Sequence, residues 1–262
     1  MKNDRQNRLR QLLLQEKKVS GTDLARRLGV SPATVRRDLT ALAKEGLIKR
    51  RYGTAELLFP REANIPAWEG RSITCFAEKR QLAQRTVELI PDHCTVFLDG
   101  GTTVYEVARY LTERKDLTVV TCALRVAGLL GMQPDLQVYC IGGRVKPDML
   151  ATSGMMATEG LAVLPQFDIA VFSTDAFSAE RGLVEYSMEV AMLKRHILKK
   201  TDRLFAVADH RKFRAEACAS TCGFEQVDTL ITDAVIPEDD HRILEEKGVT
   251  VETVMIHADS TV

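Results

Sequence analysis

The fold of the amino-terminal part is decided by residues 19–55, which read VSGTDLARRLGVSPATVRRDLTALAKEGLIKRRYGTA. Two helix starts stand in this stretch, Ser20 and the pair Ser31-Pro32, because serine caps a helix and proline is tolerated at its first position. A glycine ends each predicted helix, so one runs over residues 22–28 and the next from Pro32 to about Glu45. Short helices this close together are typical of a helix-turn-helix.

Elements on either side complete the pattern. Leucines recur at helical spacing within residues 5–16 and predict a first helix, and a turn is expected over residues 17–21. Residues 47–57 read as two short strands around a glycine turn, which is how a wing is built. The sequence therefore predicts a winged helix-turn-helix domain over residues 1–58.

The helix that begins at Pro32 has the composition of a recognition helix. Val35, Leu39 and Leu42 form one apolar stripe that must pack inward, so the opposite face and the basic wing are left for DNA. Hydroxyl groups suit phosphate contacts and guanidinium groups suit guanine edges. The candidate DNA-binding residues are Ser31, Ala33, Thr34, Arg36, Arg37, Thr40, Lys44, Lys49, Arg50 and Arg51. A solvated surface role for the two helix arginines stays open, and Asp38 is expected to be an internal partner.

Charge is divided unevenly along the 262 residues, although the formal net charge is zero. Residues 1–60 carry 14 Lys and Arg against 6 Asp and Glu, so they hold +8 and the remainder holds −8. Such an asymmetry indicates that the first part meets a polyanion. With 45% hydrophobic residues, the chain is long enough for a second, larger domain.

A linker is expected over residues 59–75, where periodicity disappears and Pro60 and Pro66 break any helix. Beyond it, apolar strands alternate with helices, which predicts an α/β domain over residues 76–262 with a doubly wound, mostly parallel sheet. The expected strands are 95–99, 117–121, 137–141, 169–173, 204–208, 229–232 and 249–254, and the expected helices are 78–89, 104–111, 124–130 and 187–200.

The first of these strands runs into Asp99-Gly100-Gly101-Thr102-Thr103, which opens a helix. A glycine-rich turn at a helix start exposes backbone N–H groups to the positive end of the helix dipole, so phosphate is favoured there. The spacing fits neither the dinucleotide fingerprint nor a P-loop. A purely structural turn remains the alternative.

Further polar groups follow other strands, and ligands of parallel sheets collect at strand carboxyl ends. Carboxylates suit sugar hydroxyls, while Arg144, Lys194 or Lys212 would assist the phosphate. Each of these groups alone is as well explained as a solvated charge or loop cap. The additional candidate effector-binding residues are Thr121, Cys122, Gly142, Gly143, Arg144, Asp175, Glu189, Lys194, Asp209 and Lys212.

The stretch at 19–55 resembles the amino-terminal signature of the DeoR/GlpR family of bacterial sugar-metabolism repressors, with Thr54 where the family usually has a second wing glycine. The resemblance implies a carboxyl-terminal domain similar to ribose-5-phosphate isomerase. It also implies the motifs D-x-G-T-T, T-N, G-G, G-x-D-G and D-H-S-K, which match here from Asp99 onward. Cys122, Ala176 and Arg211 depart from those motifs. The family function implied is repression of a carbohydrate operon, relieved by a phosphorylated sugar.

Other classes of function have weaker support. The five histidines are scattered and the cysteines form no CxxC pair, so neither a metal nor any other cofactor is expected, and the thiols are expected to be reduced, with Cys122 and Cys140 in buried strands. No signal peptide is apparent, so a cytoplasmic location is expected. The expected partners are operator DNA, the effector and further copies of the chain, as a dimer or tetramer. A sugar-phosphate isomerase with a DNA-binding extension is the alternative, although the lysine and glycine run of those enzymes is missing.

Overall fold

The computed structural model describes residues 9, 12, 18–44, 48–51, 54–57, 67–147, 149–178, 181–214, 217, 219–233, 236 and 238–255. The chain forms two compact units, Met1–Phe76 and Ala77–Val262.

The first unit contains the predicted winged helix-turn-helix. Helices α1 (Gly21–Leu28) and α2 (Pro32–Lys44) confirm the two helices expected around the Ser31-Pro32 start. Strands β1 (Lys18–Ser20), β2 (Ile48–Arg51) and β3 (Thr54–Leu57) form an antiparallel sheet in the order β1, β3, β2. The wing is therefore a hairpin of β2 and β3, as expected, with a third strand added.

Local capping fixes the ends of α1. The Ser20 hydroxyl accepts a hydrogen bond from the Asp23 backbone N–H at 3.1 Å. Gly29 adopts φ 62° at the other end, in the left-handed region where glycine is favoured. The small core of this unit is formed by the buried residues Leu9, Val19, Leu24, Ala25, Val35, Leu39, Leu42 and Ala55.

Two expectations for this unit were wrong. The expected turn at 17–21 contains β1, because buried Val19 pairs with Ala55 of the wing, a partner distant in sequence. The expected helix-free linker contains helix α3 (Ala67–Ile73). Proline disrupts a helix from within, but Pro66 precedes this one, where its missing N–H is not needed. The first predicted helix lies mostly outside the described residues, of which Leu9 and Leu12 are helical.

In the described part of the second unit, seven strands form one parallel sheet, which confirms the predicted doubly wound α/β fold. Their order is β15, β14, β12, β9, β4, β5, β6. The strands are β4 (Thr95–Leu98), β5 (Leu117–Thr121), β6 (Leu136–Cys140), β9 (Phe167–Phe172), β12 (Thr201–Ala208), β14 (Thr229–Thr232) and β15 (Thr250–Thr253).

Both faces of the sheet are buried. Successive residues of β4 point to opposite faces, so Phe97 joins one apolar cluster while Val96 and Leu98 join the other. Helices α4 (Phe76–Glu88), α5 (Thr102–Leu111) and α6 (Leu124–Leu130) contribute to the Val96 cluster. Helices α7 (Met155–Gly160), α8 (Met188–Leu198) and α9 (Glu238–Glu246) contribute to the Phe97 cluster.

Smaller strands, which the sequence analysis did not predict, lie among the connections of this sheet. Strands β7 (Arg144–Lys146) and β8 (Ala151–Ser153) form an antiparallel pair. Strands β10 (Ala176–Ser178), β11 (Gly182–Glu185) and β13 (Ala219–Cys222) form a second small sheet. Elements of three or four residues are too short to show a periodicity.

The direction of chain progression reverses between β4 and β9. From β4 the chain adds β5 and β6 on one side, while β9, β12, β14 and β15 are added on the other. A crevice at the carboxyl ends of two such neighbouring strands is the usual ligand site of an open parallel sheet. Here Asp99 follows β4 and Ser173 follows β9.

Candidate functional site

Helix α2 has the capped start and the buried stripe that the sequence indicates. The Ser31 hydroxyl accepts a hydrogen bond from the Thr34 backbone N–H at 3.2 Å. Val35, Leu39 and Leu42 are 1%, 3% and 0% exposed. Their burial fixes the rotation of the helix, so the remaining side chains have no choice of face.

The opposite face of α2 carries its cations. Arg36 and Arg37 are exposed, as is Ala33, whereas Thr34 and Thr40 are half-buried. The Thr40 hydroxyl donates to the Arg36 carbonyl at 2.7 Å, so that donor is used within the helix. Asp38 is buried, at 2% exposure. The side chains of the other basic candidates, Lys44, Lys49, Arg50 and Arg51, lie outside the described part of the chain.

The glycine-rich turn of the second unit begins α5. Gly101 has φ 115°, and a Cβ atom there would lie 2.7 Å from the Ser173 hydroxyl oxygen, so only glycine fits without strain. Gly101 has no side chain with which to cap the helix, and Thr102 and Thr103, at 8% and 5% exposure, are largely buried. The positive end of α5 thus faces the crevice at the strand ends, where an anion is favoured.

Asp99, which directly follows β4, is bound on two sides. Its carboxylate accepts hydrogen bonds from the Ser173 backbone N–H and hydroxyl, both at 3.2 Å. It also lies 2.8 Å from the Lys194 ammonium. The Ser173 hydroxyl additionally approaches the Gly100 carbonyl at 2.8 Å. These bonds connect the ends of β4 and β9 across the point of reversal.

Lys194, which was expected to assist the phosphate, is bonded to other groups of the protein. Its ammonium donates to Glu185 at 2.6 Å and to the Ser173 carbonyl at 2.6 Å, besides its contact with Asp99. The lysine is only 2% exposed. Three acceptors use its three N–H groups, so its role is to hold Asp99 and Ser173 in place.

The buried cluster of Asp99, Glu185 and Lys194 contains two carboxyl groups and one ammonium group. Burial by itself would lower the pKa of Lys194, but the two carboxylates beside it raise that pKa well above its ordinary value. One ammonium cannot neutralise two buried carboxylates, and burial raises the pKa of Glu185 to about 8. Near neutral pH the cluster therefore holds a proton on Glu185 and is electrically balanced.

A second group of predicted residues meets where the β7–β8 pair approaches α8. Gly143 has φ 141°, and a Cβ atom there would lie 2.8 Å from the Ser153 carbonyl, so glycine is required where the chain enters β7. Arg144 then reaches Glu189 of α8, with 2.8 Å between the guanidinium and each carboxylate oxygen. Arg144 and Glu189 are thus brought together, as Asp99 and Lys194 are.

The remaining effector candidates are placed by local bonds. The Thr121 hydroxyl accepts from the Ala123 N–H at 3.0 Å, and the Asp175 carboxylate accepts from the Tyr186 N–H at 3.0 Å. Asp209 is fully buried and pairs with Arg211 at 2.8 Å. Burial alone would raise the pKa of Asp209, but hydrogen bonds from Arg211 lower it. Gly142 is exposed and Lys212 is half-buried near the end of β12.

Sequence reasoning missed three polar residues at this site. Glu185 ends β11, and Lys146 and Ser187 approach each other at 2.8 Å. Lys146 stands two positions from Arg144 in the sequence. This spacing, which puts both cations on one face of a strand, is the signal by which Lys146 could have been found. The sequence around Glu185 gives no comparable signal, because its partner Lys194 lies on a different element and the two meet only in the folded chain.

No group of metal-binding side chains occurs among the described residues. The five cysteines within the described part of the chain are free thiols, and burial raises the pKa of Cys122 to about 12. Cys140 is exposed, which corrects the expectation of a buried strand position, because β6 is the edge strand of the sheet. No helix in the described ranges is long and apolar enough to cross a membrane.

Comparison with known proteins gives matches along both units. A model described as the DeoR C terminal sensor domain matches residues 74–234, and a DeoR-like helix-turn-helix domain matches residues 5–60. The HTH-type transcriptional regulator GolR of Listeria innocua is 32% identical over 248 residues, which cover 95% of this chain and 97% of that protein. The glycerol-3-phosphate regulon repressor of Escherichia coli is 30% identical over 250 residues, with the same two coverages, 95% and 97%.

Solved structures give a more distant likeness. Ribose 5-phosphate isomerase A of Neisseria gonorrhoeae is 14% identical, with a TM-score of 0.39, over 52% of each chain. The isomerase of Methanocaldococcus jannaschii is 15% identical, with a TM-score of 0.40, over 53% of this chain and 55% of that one. This chain thus spans about half the length of these enzymes.

Proposed function

Because the chain belongs to the DeoR family of transcriptional regulators, we propose that it represses a carbohydrate-catabolism operon and is released from operator DNA by a phosphorylated sugar. Helix α2 binds DNA in the major groove, and the crevice at Gly101 binds the effector. The observation that carries the first part is the orientation of α2, which buries Val35 and exposes Arg36 and Arg37. Bidentate guanidinium contacts to guanine are the commonest base-specific contacts in this groove.

Binding to DNA is tested with the full chain and duplex DNA from upstream of its own gene. Arg36→Ala or Arg37→Ala is expected to weaken specific binding by about 1–3 kcal/mol, since each removes one base contact. Arg203→Ala removes an exposed charge of the other unit and serves as the control. Unchanged affinity in both α2 variants, measured by fluorescence anisotropy at several salt concentrations, would reject the recognition-helix assignment.

Effector binding is supported by the geometry of the Gly101 turn. Only glycine fits against Ser173 at this turn, and the dipole of α5 favours negative charge at the helix start. Asp99, which directly precedes the turn, supplies a carboxylate of the type that accepts hydrogen bonds from sugar hydroxyls. Thermal-shift screening of phosphorylated sugars tests this proposal, and stabilisation that disappears in Thr102→Ala would locate the phosphate at the turn.

The regulator acts as a homo-oligomer, a dimer at least, because one recognition helix has too little surface for tight specific binding. An exposed apolar surface on α7 and α8 supports self-association. Met155, Met156, Met188 and Met192 are between 56% and 78% exposed, and Tyr186 precedes α8 with 63% exposure. Since a repressor acts on the chromosome, its place of action is the cytoplasm.

The buried Asp99–Lys194 pair is the observation that favours a second candidate, a sugar-phosphate isomerase. Such an enzyme needs a carboxylate base and a cation near the substrate carbonyl. In this chain Lys194 is fully used by protein acceptors, so it is not available to polarise a substrate. We expect no conversion of ribose 5-phosphate by the purified protein, and measurable turnover in a coupled assay would favour the enzyme.

A further inference from the structure

One face of the β7–β8 hairpin carries two cations. In its register Arg144 pairs with Ser153, and Lys146 pairs with Ala151. Residues that pair directly, and residues two apart along a strand, share a face. The two basic side chains, Ala151 and Ser153 therefore lie on one side of the hairpin.

That face covers the glycine-rich turn. The Ala151 Cβ atom lies 3.4 Å from where a Cβ atom of Gly100 would be, and Met149 lies 3.7 Å from the same point. Ser153, two residues further along the strand, is displaced from Ala151 by about 7 Å. Lys146 pairs with Ala151, at the contact with the turn, and Arg144 pairs with Ser153, further along the hairpin.

A single carboxylate, that of Glu189, lies between the two cations. Glu189 approaches Arg144 at 2.8 Å and Lys146 at 3.8 Å, and it accepts from the Ser153 hydroxyl at 3.3 Å. The Lys146 ammonium also donates to the Ser187 hydroxyl at 2.8 Å. Arg144, Lys146 and Glu189 together thus carry an excess positive charge.

The Arg144–Glu189 pair is open to solvent and easily rearranged, while Lys146 is more covered. The side chains of Arg144 and Glu189 are 70% and 45% exposed, and that of Lys146 is 21% exposed. Ion pairs between exposed side chains contribute little to stability, because water screens them and their side chains lose freedom. An incoming anion with two negative charges can therefore replace Glu189 on both cations at small cost.

We propose that Arg144 and Lys146 form a second anion subsite, which Glu189 occupies until an effector bearing two anionic groups displaces it. This inference rests on the proposed function, in which the first anionic group binds at the Gly101 turn. The effector is then a short phosphorylated sugar or sugar acid whose second phosphate or carboxylate lies at its other end. Displacement frees the first turn of α8, which carries Glu189, from the β7–β8 hairpin.

Titration of the full-length protein with inorganic phosphate, followed by 31P NMR and calorimetry, separates the two subsites. We expect two phosphates per chain. Arg144→Gln and Lys146→Gln each weaken binding of the phosphate at the hairpin by roughly tenfold, since each removes a charge-assisted hydrogen bond. Glu189→Gln tightens the same phosphate several-fold, because the competing carboxylate is gone, and Gly101→Ala weakens the other phosphate only.

A matched pair of ligands gives the second measurement. Fructose 1,6-bisphosphate is expected to bind at least tenfold more tightly than fructose 6-phosphate, and Arg144→Gln removes the difference. One phosphate per chain that is sensitive to Gly101→Ala but not to the hairpin variants overturns the second subsite and leaves the proposed function intact. Absence of any phosphate sensitive to Gly101→Ala overturns the proposed function itself. If Glu189→Gln fails to fold, Glu189→Asp, which shortens the competing carboxylate, is used instead.

Discussion

Replacing Lys194 by methionine is expected to destabilise the second unit strongly. The side chains of Lys194, Asp99 and Glu185 are 3%, 5% and 4% exposed, so water cannot take the place of the lost ammonium. Methionine keeps the length and removes the charge, which leaves Asp99 buried without its cation. Removing one partner of such a pair costs about 3–5 kcal/mol. Glu185 adds little to this loss near neutral pH, because its raised pKa leaves it protonated.

Urea unfolding of the full chain, followed by far-ultraviolet circular dichroism, measures this loss. Lys199→Met is the matched control, since Lys199 ends the same helix with an exposed side chain. A triple variant that adds Asp99→Asn and Glu185→Gln is expected to recover part of the stability, because no uncompensated charge remains buried. If Lys194→Met loses no more than about 1 kcal/mol relative to Lys199→Met, the cluster is not a tightly coupled buried pair.

Three further outcomes are expected. The folded pKa of Glu185, about 8, lies above its ordinary 4.5, so this residue stabilises the fold fully below pH 4.5 and loses that contribution as pH rises through 8. From about pH 6 to pH 8 the wild type should lose about 2 kcal/mol that Glu185→Gln does not lose, measured by urea unfolding. Gly101→Ala should cost about 1–3 kcal/mol of strain, and the thermal shift given by phosphorylated sugars should vanish. Met188→Glu combined with Met192→Glu should yield monomers in sedimentation and weaken operator binding roughly tenfold or more; an unchanged mass would exclude this surface from the oligomer interface.

The parts of the fold that the sequence predicted are those whose signal is local. The Ser31-Pro32 start and the stripe of Val35, Leu39 and Leu42 lie within one helix, and a buried stripe leaves one rotation possible. The central strands of the parallel sheet, such as β4 and β9, are apolar because both their faces are covered, and that pattern is also readable along the chain.

The parts that were missed depend on contacts between distant residues. Strand β1 exists because β3 pairs with it from about 35 positions away in the chain. Lys194, on the helix expected over residues 187–200, was expected to assist the phosphate, but its partners Asp99 and Glu185 come from two other elements. Whether a cation can reach a ligand depends on which residues the fold places beside it. The spacing of apolar residues along the sequence does not show this.

Helix α8 carries three features that bear on regulation: the buried Lys194, the carboxylate of Glu189 and the exposed methionines. Lys194 fixes it to Asp99 at the point where the sheet reverses, and Glu189 fixes its first turn to the β7–β8 hairpin. On its outer face Met188 and Met192, one turn apart, are 70% and 56% exposed. An effector changes the subunit arrangement only if it binds two arrangements with different affinity. A ligand that displaces Glu189 while Lys194 stays buried changes the contacts at the first turn of α8 and leaves its other contacts in place. Met188 and Met192 lie on the outer face of the same helix. The methionine surface is therefore where a change at the effector site would reach a second copy of the chain.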